Sequence, residues 1–134
     1  MRVVIDTNVF VSGLFWKGPP AAILKAWRDG RIEMVLSPAI LDEYQRVGAE
    51  LNRLLPVIDL GPILGMLAVN SRIVQDSELP EQVCSDPADD KLIAAAVVAN
   101  AEYVISGDKA LLRVQEYGGV RIIAPGTFVG ACLK

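Results

Sequence analysis

At 134 residues, 52% hydrophobic and 22% charged, the sequence fits one folded domain spanning 1–134 and excludes a disordered chain. It contains no histidine, which removes Ser-His-Asp and Cys-His catalysis and most zinc sites. A net charge of −3 is not the usual footprint of a nucleic-acid binder, so any acidic cluster has to be set against the rest of the chain.

In chain order, Arg2–Ile5 is a β-branched run that reads as a strand, and Asp6 interrupts it far too early for a signal peptide. Pro19–Asp29 carries Ile23, Leu24 and Trp27 at helical spacing and stops at Gly30. Ile32–Leu36 is a second strand. Ser37-Pro38 opens a helix with a capping serine and a proline at the first helical position, and Ile40, Leu41, Tyr44, Val47 and Leu51 continue it. Pro56–Val69 reads as a further helix, weakened by Gly61, Pro62 and Gly65, and Arg72–Gln75 as a weak strand.

A loop over Asp76–Ser85 leads to a second helix start at Asp86-Pro87, followed by the apolar run Leu92–Asn100. Tyr103–Ser106 is a strand, Lys109–Val114 a short helix, Val120–Ile123 a strand, and a last helix begins near Pro125. No apolar stretch is long enough to cross a bilayer, and Cys84 and Cys132 stand apart without metal or disulfide spacing. A cytoplasmic protein is expected. Strands alternating with helices imply an α/β fold with a mostly parallel sheet covered on both faces.

The acids fall where such a sheet binds ligands, beyond the carboxyl ends of its strands. Asp6 follows the first strand and Asp108 follows Val104-Ile105-Ser106-Gly107. Either alone is better explained as turn chemistry. Glu43 lies at the edge of its helix's apolar stripe and can reach a cleft, whereas Asp42 points nearly opposite, into solvent. Of the three acids at the start of the next helix, Asp86 reads as the cap and Asp89 as a capping partner, leaving Asp90 without a structural task. Without the four acids Asp6, Glu43, Asp90 and Asp108, 12 acids face 13 Lys and Arg, so the chain's acidity could belong largely to one site.

Four stretches carry a family resemblance: Val3-Val4-Ile5-Asp6-Thr7-Asn8-Val9-Phe10 with Ser12; Ser37 to Tyr44; Asp86 to Ala96; and Tyr103 to Leu112. In that order and spacing the chain resembles PIN domains, most closely the VapC-like toxins of toxin–antitoxin pairs. The resemblance implies a five-stranded parallel sheet ordered 3-2-1-4-5 in a three-layer domain, with a site where strands 1 and 4 meet. It also implies a ribonuclease dependent on Mg²⁺ or Mn²⁺, acting on RNA, homodimeric and held inactive by an antitoxin protein. Asp6, Asp90 and Asp108 would hold metal and Glu43 would bind a second metal or orient water. Thr7, Asn8, Ser12 and Ser106 would support them with hydrogen bonds. Two rivals stand beside this reading: a catalytically silent module that binds RNA or a partner, and a phosphatase using Asp6 as nucleophile.

Overall fold

The computed structural model describes residues 1–56 and 59–133. Its strands are β1 (Arg2–Ile5), β2 (Glu33–Leu36), β3 (Arg72–Ile73), β4 (Tyr103–Ile105), β5 (Glu116–Tyr117) and β6 (Val120–Ile123). Its helices are α1 (Thr7–Phe15), α2 (Pro19–Arg28), α3 (Pro38–Leu54), α4 (Leu60–Asn70), α5 (Asp90–Val98), α6 (Lys109–Leu112) and α7 (Pro125–Cys132), with a 3-10 turn at Pro87–Asp89. The sheet order is β3-β2-β1-β4-β6-β5, and every pairing except β5–β6 is parallel.

The five parallel strands keep the expected 3-2-1-4-5 succession. The correction is a sixth strand: β5 folds back through the Gly118-Gly119 turn, both glycines at positive φ, and adds an antiparallel edge. Its two residues lack any alternating pattern of their own, so nothing in the sequence marked it. The helix Thr7–Phe15 is likewise additional. It is apolar on most sides, and Asp6 makes no side-chain cap to it, so neither periodicity nor a capping signal announces it. Of the helix expected over Pro56–Val69, α4 starts after Asp59, which caps Gly61 N at 3.1 Å; residues 57 and 58 lie outside the described residues.

Three consecutive residues of β1, Val3, Val4 and Ile5, are completely buried. That requires apolar layers on both faces of the strand, the condition of a parallel sheet. Helix α5 packs across β1, β2, β4 and β6, while α1 and α2 pack together and α7 lies against α2. Gly13 allows the α1–α2 approach: a Cβ there would stand 2.7 Å from both Leu24 Cδ1 and Pro20 O.

Tyr44 ties α3 to the end of β1. Its ring stacks on Phe10, with centroids 4.2 Å apart and planes 6° from parallel, and its hydroxyl donates to Ile5 O, one residue before Asp6. Burial raises the Tyr44 hydroxyl well above its ordinary value, and the Asp6 and Glu43 charges add to that. It is therefore a permanent neutral donor. Tyr44→Phe keeps the stack and removes only this bond, so it should lower stability by about 1–3 kcal/mol in a denaturant titration, the cost of stranding a buried acceptor. A loss below that range would mean that Ile5 O is satisfied without Tyr44.

Candidate active site

Strand order reverses at β1 and β4, and that is where the acids gather. In register, Ile5 pairs with Ile105, so Asp6 and Ser106 leave the sheet side by side, and Asp6 N donates to Ile105 O at 2.9 Å. Asp6 is only 7% exposed. Its Oδ2 accepts from Ser106 Oγ at 2.6 Å, and the same hydroxyl oxygen accepts from Asp108 N at 2.9 Å. Ser106 thus fixes the positions of two acids at once. Burial raises the Asp6 carboxyl above its ordinary range, the Ser106 and Asn8 hydrogen bonds oppose that, and the Asp108 and Glu43 charges raise it further.

Glu43 faces the same crevice from α3, while Asp42 is exposed, as the helix phase predicts. Thr7, which is buried, donates its hydroxyl to Glu43 Oε1. Lys91 Nζ donates to Glu43 Oε2 at 3.0 Å and to Ala88 O at 3.0 Å, and Arg46 lies 3.9 Å from Oε2. Partial burial pushes the Glu43 carboxyl up, but the Thr7 and Lys91 hydrogen bonds outweigh it and hold Glu43 below its ordinary range. Glu43 therefore stays ionised at neutral pH.

The segment before α5 divides its acids differently from the sequence reading. Asp86 does cap, accepting from Ala88 N at 3.0 Å. Asp90 has a structural task after all: its two oxygens accept from Val83 N at 3.0 Å and Cys84 N at 2.7 Å, pinning the preceding loop. Asp89 is the acid hydrogen-bonded to Asp108. Partial burial, that bond, and the charges of Asp6, Asp86 and Asp108 together push its carboxyl from an ordinary 3.8 up to about 7. Asp89 is therefore poised to hold a proton near neutrality, hydrogen-bonded to Asp108. Buried Cys84 places its Sγ 3.9 Å from Asp89 Oδ2.

Asp89 was invisible as a site residue, because α5 is apolar all round and offers no phase from which to orient the turn that opens it. Among the expected supporting residues, Thr7 and Ser106 hold acids directly and Asn8 contributes its backbone amide to Asp6. Ser12 is half-buried on α1, and its hydroxyl makes no hydrogen bond among the described residues. The loop pinned by Asp90 gives a direct stability test. Asp90→Ala strands two amides and should cost about 1–3 kcal/mol in a thermal or chemical melt. A neutral substitution would show that water replaces those bonds at no cost.

Residues 2–110 match the PIN domain family, and the chain belongs to it. That gives it a nuclease-type fold. It is also 32% identical over 121 residues to an uncharacterized protein of Methanocaldococcus jannaschii, an alignment covering 87% of this chain and 76% of that relative. Among the described residues, no helix is long and apolar enough to cross a membrane.

The donor set at the crevice is all oxygen, which suits a hard divalent cation. Among the described residues, no three side chains already stand as closely as a closed metal shell requires. Asp6 and Asp89 are raised by burial first and by neighbouring carboxylates in addition, and among the described residues no Lys or Arg is paired with Asp6, Asp89 or Asp108. Crowded acids without a counter-charge are what a bound cation would relieve, so the residues present fit a divalent ion.

Proposed function

We propose that this PIN domain is a ribonuclease that hydrolyses RNA phosphodiester bonds with Mg²⁺ or Mn²⁺. The observation that carries the reading is the crevice at β1 and β4, where Asp6, Asp89 and Asp108 crowd together opposite an ionised Glu43. Asp6, Asp108 and Asp89 would hold the ion. The family resemblance assigns that role to Asp90, whose oxygens are instead occupied by Val83 and Cys84 amides, so we give Asp90 the task of fixing the loop behind Asp89. A bound divalent ion supplies neutralisation of phosphate charge and a more acidic water.

The chain's own groups do the remaining work. Ser106 locks the Asp6 carboxylate and the Asp108 backbone in one orientation. Thr7 and Lys91 keep Glu43 deprotonated and aimed into the crevice, where its remaining lone pairs can orient an attacking water. A phosphatase using Asp6 as nucleophile is disfavoured, because Asn8 stands where a second aspartate two residues on would act as its acid.

The narrower assignment is the toxin of a toxin–antitoxin pair, cytoplasmic, homodimeric and controlled by an antitoxin protein. Its support, beyond the resemblance, is α4. Leu67 is its one fully buried residue, while Met66 and Val69 are exposed, with Leu54, Leu55 and Ile73 exposed nearby in sequence. Exposed apolar side chains of that kind would suit a protein contact if they form one patch.

Purified protein should cleave RNA with added Mg²⁺ or Mn²⁺ and lose that activity in EDTA. Cleavage that persists in excess EDTA, with metal content verified as nil, would overturn the metal assignment. Metal binding without any cleavage across varied RNAs would favour the silent binding module.

A further inference from the structure

The cations that follow the crevice acids in sequence divide into two sets. Lys91 and Arg46 are committed to Glu43. Lys109 and Arg113 are exposed and enter no ion pair among the described residues, although the chain has a net charge of −3. Lys109 directly follows Asp108, and Arg113 stands four residues on, at the C-cap of α6 with helical backbone angles. Their side chains therefore leave the same side of the helix from roots roughly 5–6 Å apart. Neighbouring phosphates along a nucleic-acid strand are separated by a distance of that order.

The two cations line an open cavity of about 330 Å³ together with Leu112 and Gln115. Gln115 has φ 65°, a left-handed conformation that a residue with a long side chain rarely adopts. Its backbone is held there from both sides, Gln115 N donating to Leu112 O at 3.2 Å and Ile122 N donating to Gln115 O at 2.9 Å. The strained position puts a carboxamide, where glycine would be easier, into the wall shared with both cations.

We infer that Lys109 and Arg113 are positioning residues that bind successive backbone phosphates of the RNA strand as it leaves the crevice past α6. Gln115 offers a neutral hydrogen-bond donor to the same stretch. The inference rests on the ribonuclease reading, because it takes the strand to be threaded through the acidic crevice. The unpaired cations solve a problem that crevice poses. Its carboxylates repel a polyanion, and attraction just outside them draws the strand in without neutralising the acids that hold the ion. Contacts of this kind fix register and carry no base preference.

The test is steady-state cleavage of a short labelled single-stranded RNA with Mn²⁺, at several salt concentrations. It compares wild type with Lys109→Gln/Arg113→Gln, and with Arg28→Gln/Arg31→Gln as a charge-matched control. Arg28 and Arg31 line a separate cavity beside Met1 and Glu33, at the amino ends of β1 and β2. Losing two phosphate contacts on a single strand should lower the slope of log(kcat/KM) against log salt by about 1.4, and raise KM about 25-fold at 0.1 M salt. The kcat should stay within about twofold, and Lys109→Arg/Arg113→Lys should recover most of the lost affinity, since phosphates accept either cation. A KM and salt slope equal to those of the control, in an enzyme that cleaves RNA normally, would overturn this inference alone. A fall in kcat at unchanged KM would also overturn it. Wild type that neither cleaves nor binds RNA would overturn the ribonuclease reading and this inference with it.

Discussion

Replacing Asp6 or Asp108 with asparagine should lower metal-dependent RNA cleavage by about 100- to 1,000-fold, the usual penalty for removing one preorganised charge from a reaction centre. Both substitutions preserve shape. In Asp6→Asn the carboxamide oxygen still accepts from Ser106 Oγ, and in Asp108→Asn it still caps Ala110 N, a bond of 3.4 Å in the wild type. The loss of activity should therefore come without a loss of fold. In EDTA the variants should be as stable as wild type or slightly more so, because each removes a charge that its neighbours repel. Saturating Mn²⁺ should reverse the order: wild type gains about 2.7 kcal/mol at a hundredfold excess over the dissociation constant, and the variants gain much less. Glu43→Gln should also cut cleavage, while its sequence neighbour Asp42→Asn, exposed on the other side of α3, should not. Thermal melts and initial rates with and without Mn²⁺ measure all of this. Variants that are strongly destabilised in EDTA and still respond fully to metal would make Asp6 and Asp108 ordinary caps.

Much of this centre could be read from the sequence, and the reason is geometric. A strand ends where its β-branched run ends, so Asp6 had to leave the sheet beside whatever followed Val104-Ile105, and parallel pairing in register does the rest. Glu43 was legible because α3 has one apolar face, with Ile40 and Tyr44 buried, and a face fixes a phase. Helix α5 has no such face: Leu92, Ile93, Ala94, Ala95 and Ala96 are consecutive and all buried. Rotating it by one residue changes nothing in its hydrophobic pattern, so Asp89 and Asp90 could not be told apart. What separates them is the loop of residues 83–84, whose free amides claim Asp90. That long-range choice leaves no local trace. The edge strand β5 and helix α1 escaped for related reasons, one being too short for a pattern and the other too apolar to show one.

The metal-free protein should become less stable as pH rises from about 5 to about 7, and Asp89 should be the main cause. Its carboxyl titrates at about 7 in the folded chain against an ordinary 3.8. Between those values the folded state holds a proton that the unfolded chain has released, so folding is favoured by acid. The stabilising contribution is complete below about 3.8 and gone above about 7. Asp6, raised by burial, acts with the same sign. Glu43 does not oppose it in this window. Its folded value lies below its ordinary 4.5, so it is ionised in both states from pH 5 upward, and its contribution is lost only at lower pH. Asp89→Asn removes the titrating group and should flatten most of the slope, whereas Asp90→Asn should keep the slope while lowering stability throughout. Saturating Mn²⁺ should replace the slope with its opposite, because the ion binds deprotonated carboxylates and its affinity grows with pH. The measurement is chemical denaturation of the three proteins across this pH range, in EDTA and in Mn²⁺. A wild type whose stability in EDTA is flat or rising would show that Asp89 holds no proton in this range. A slope that survives in Asp89→Asn but vanishes in Asp90→Asn would return the third acid of the site to Asp90.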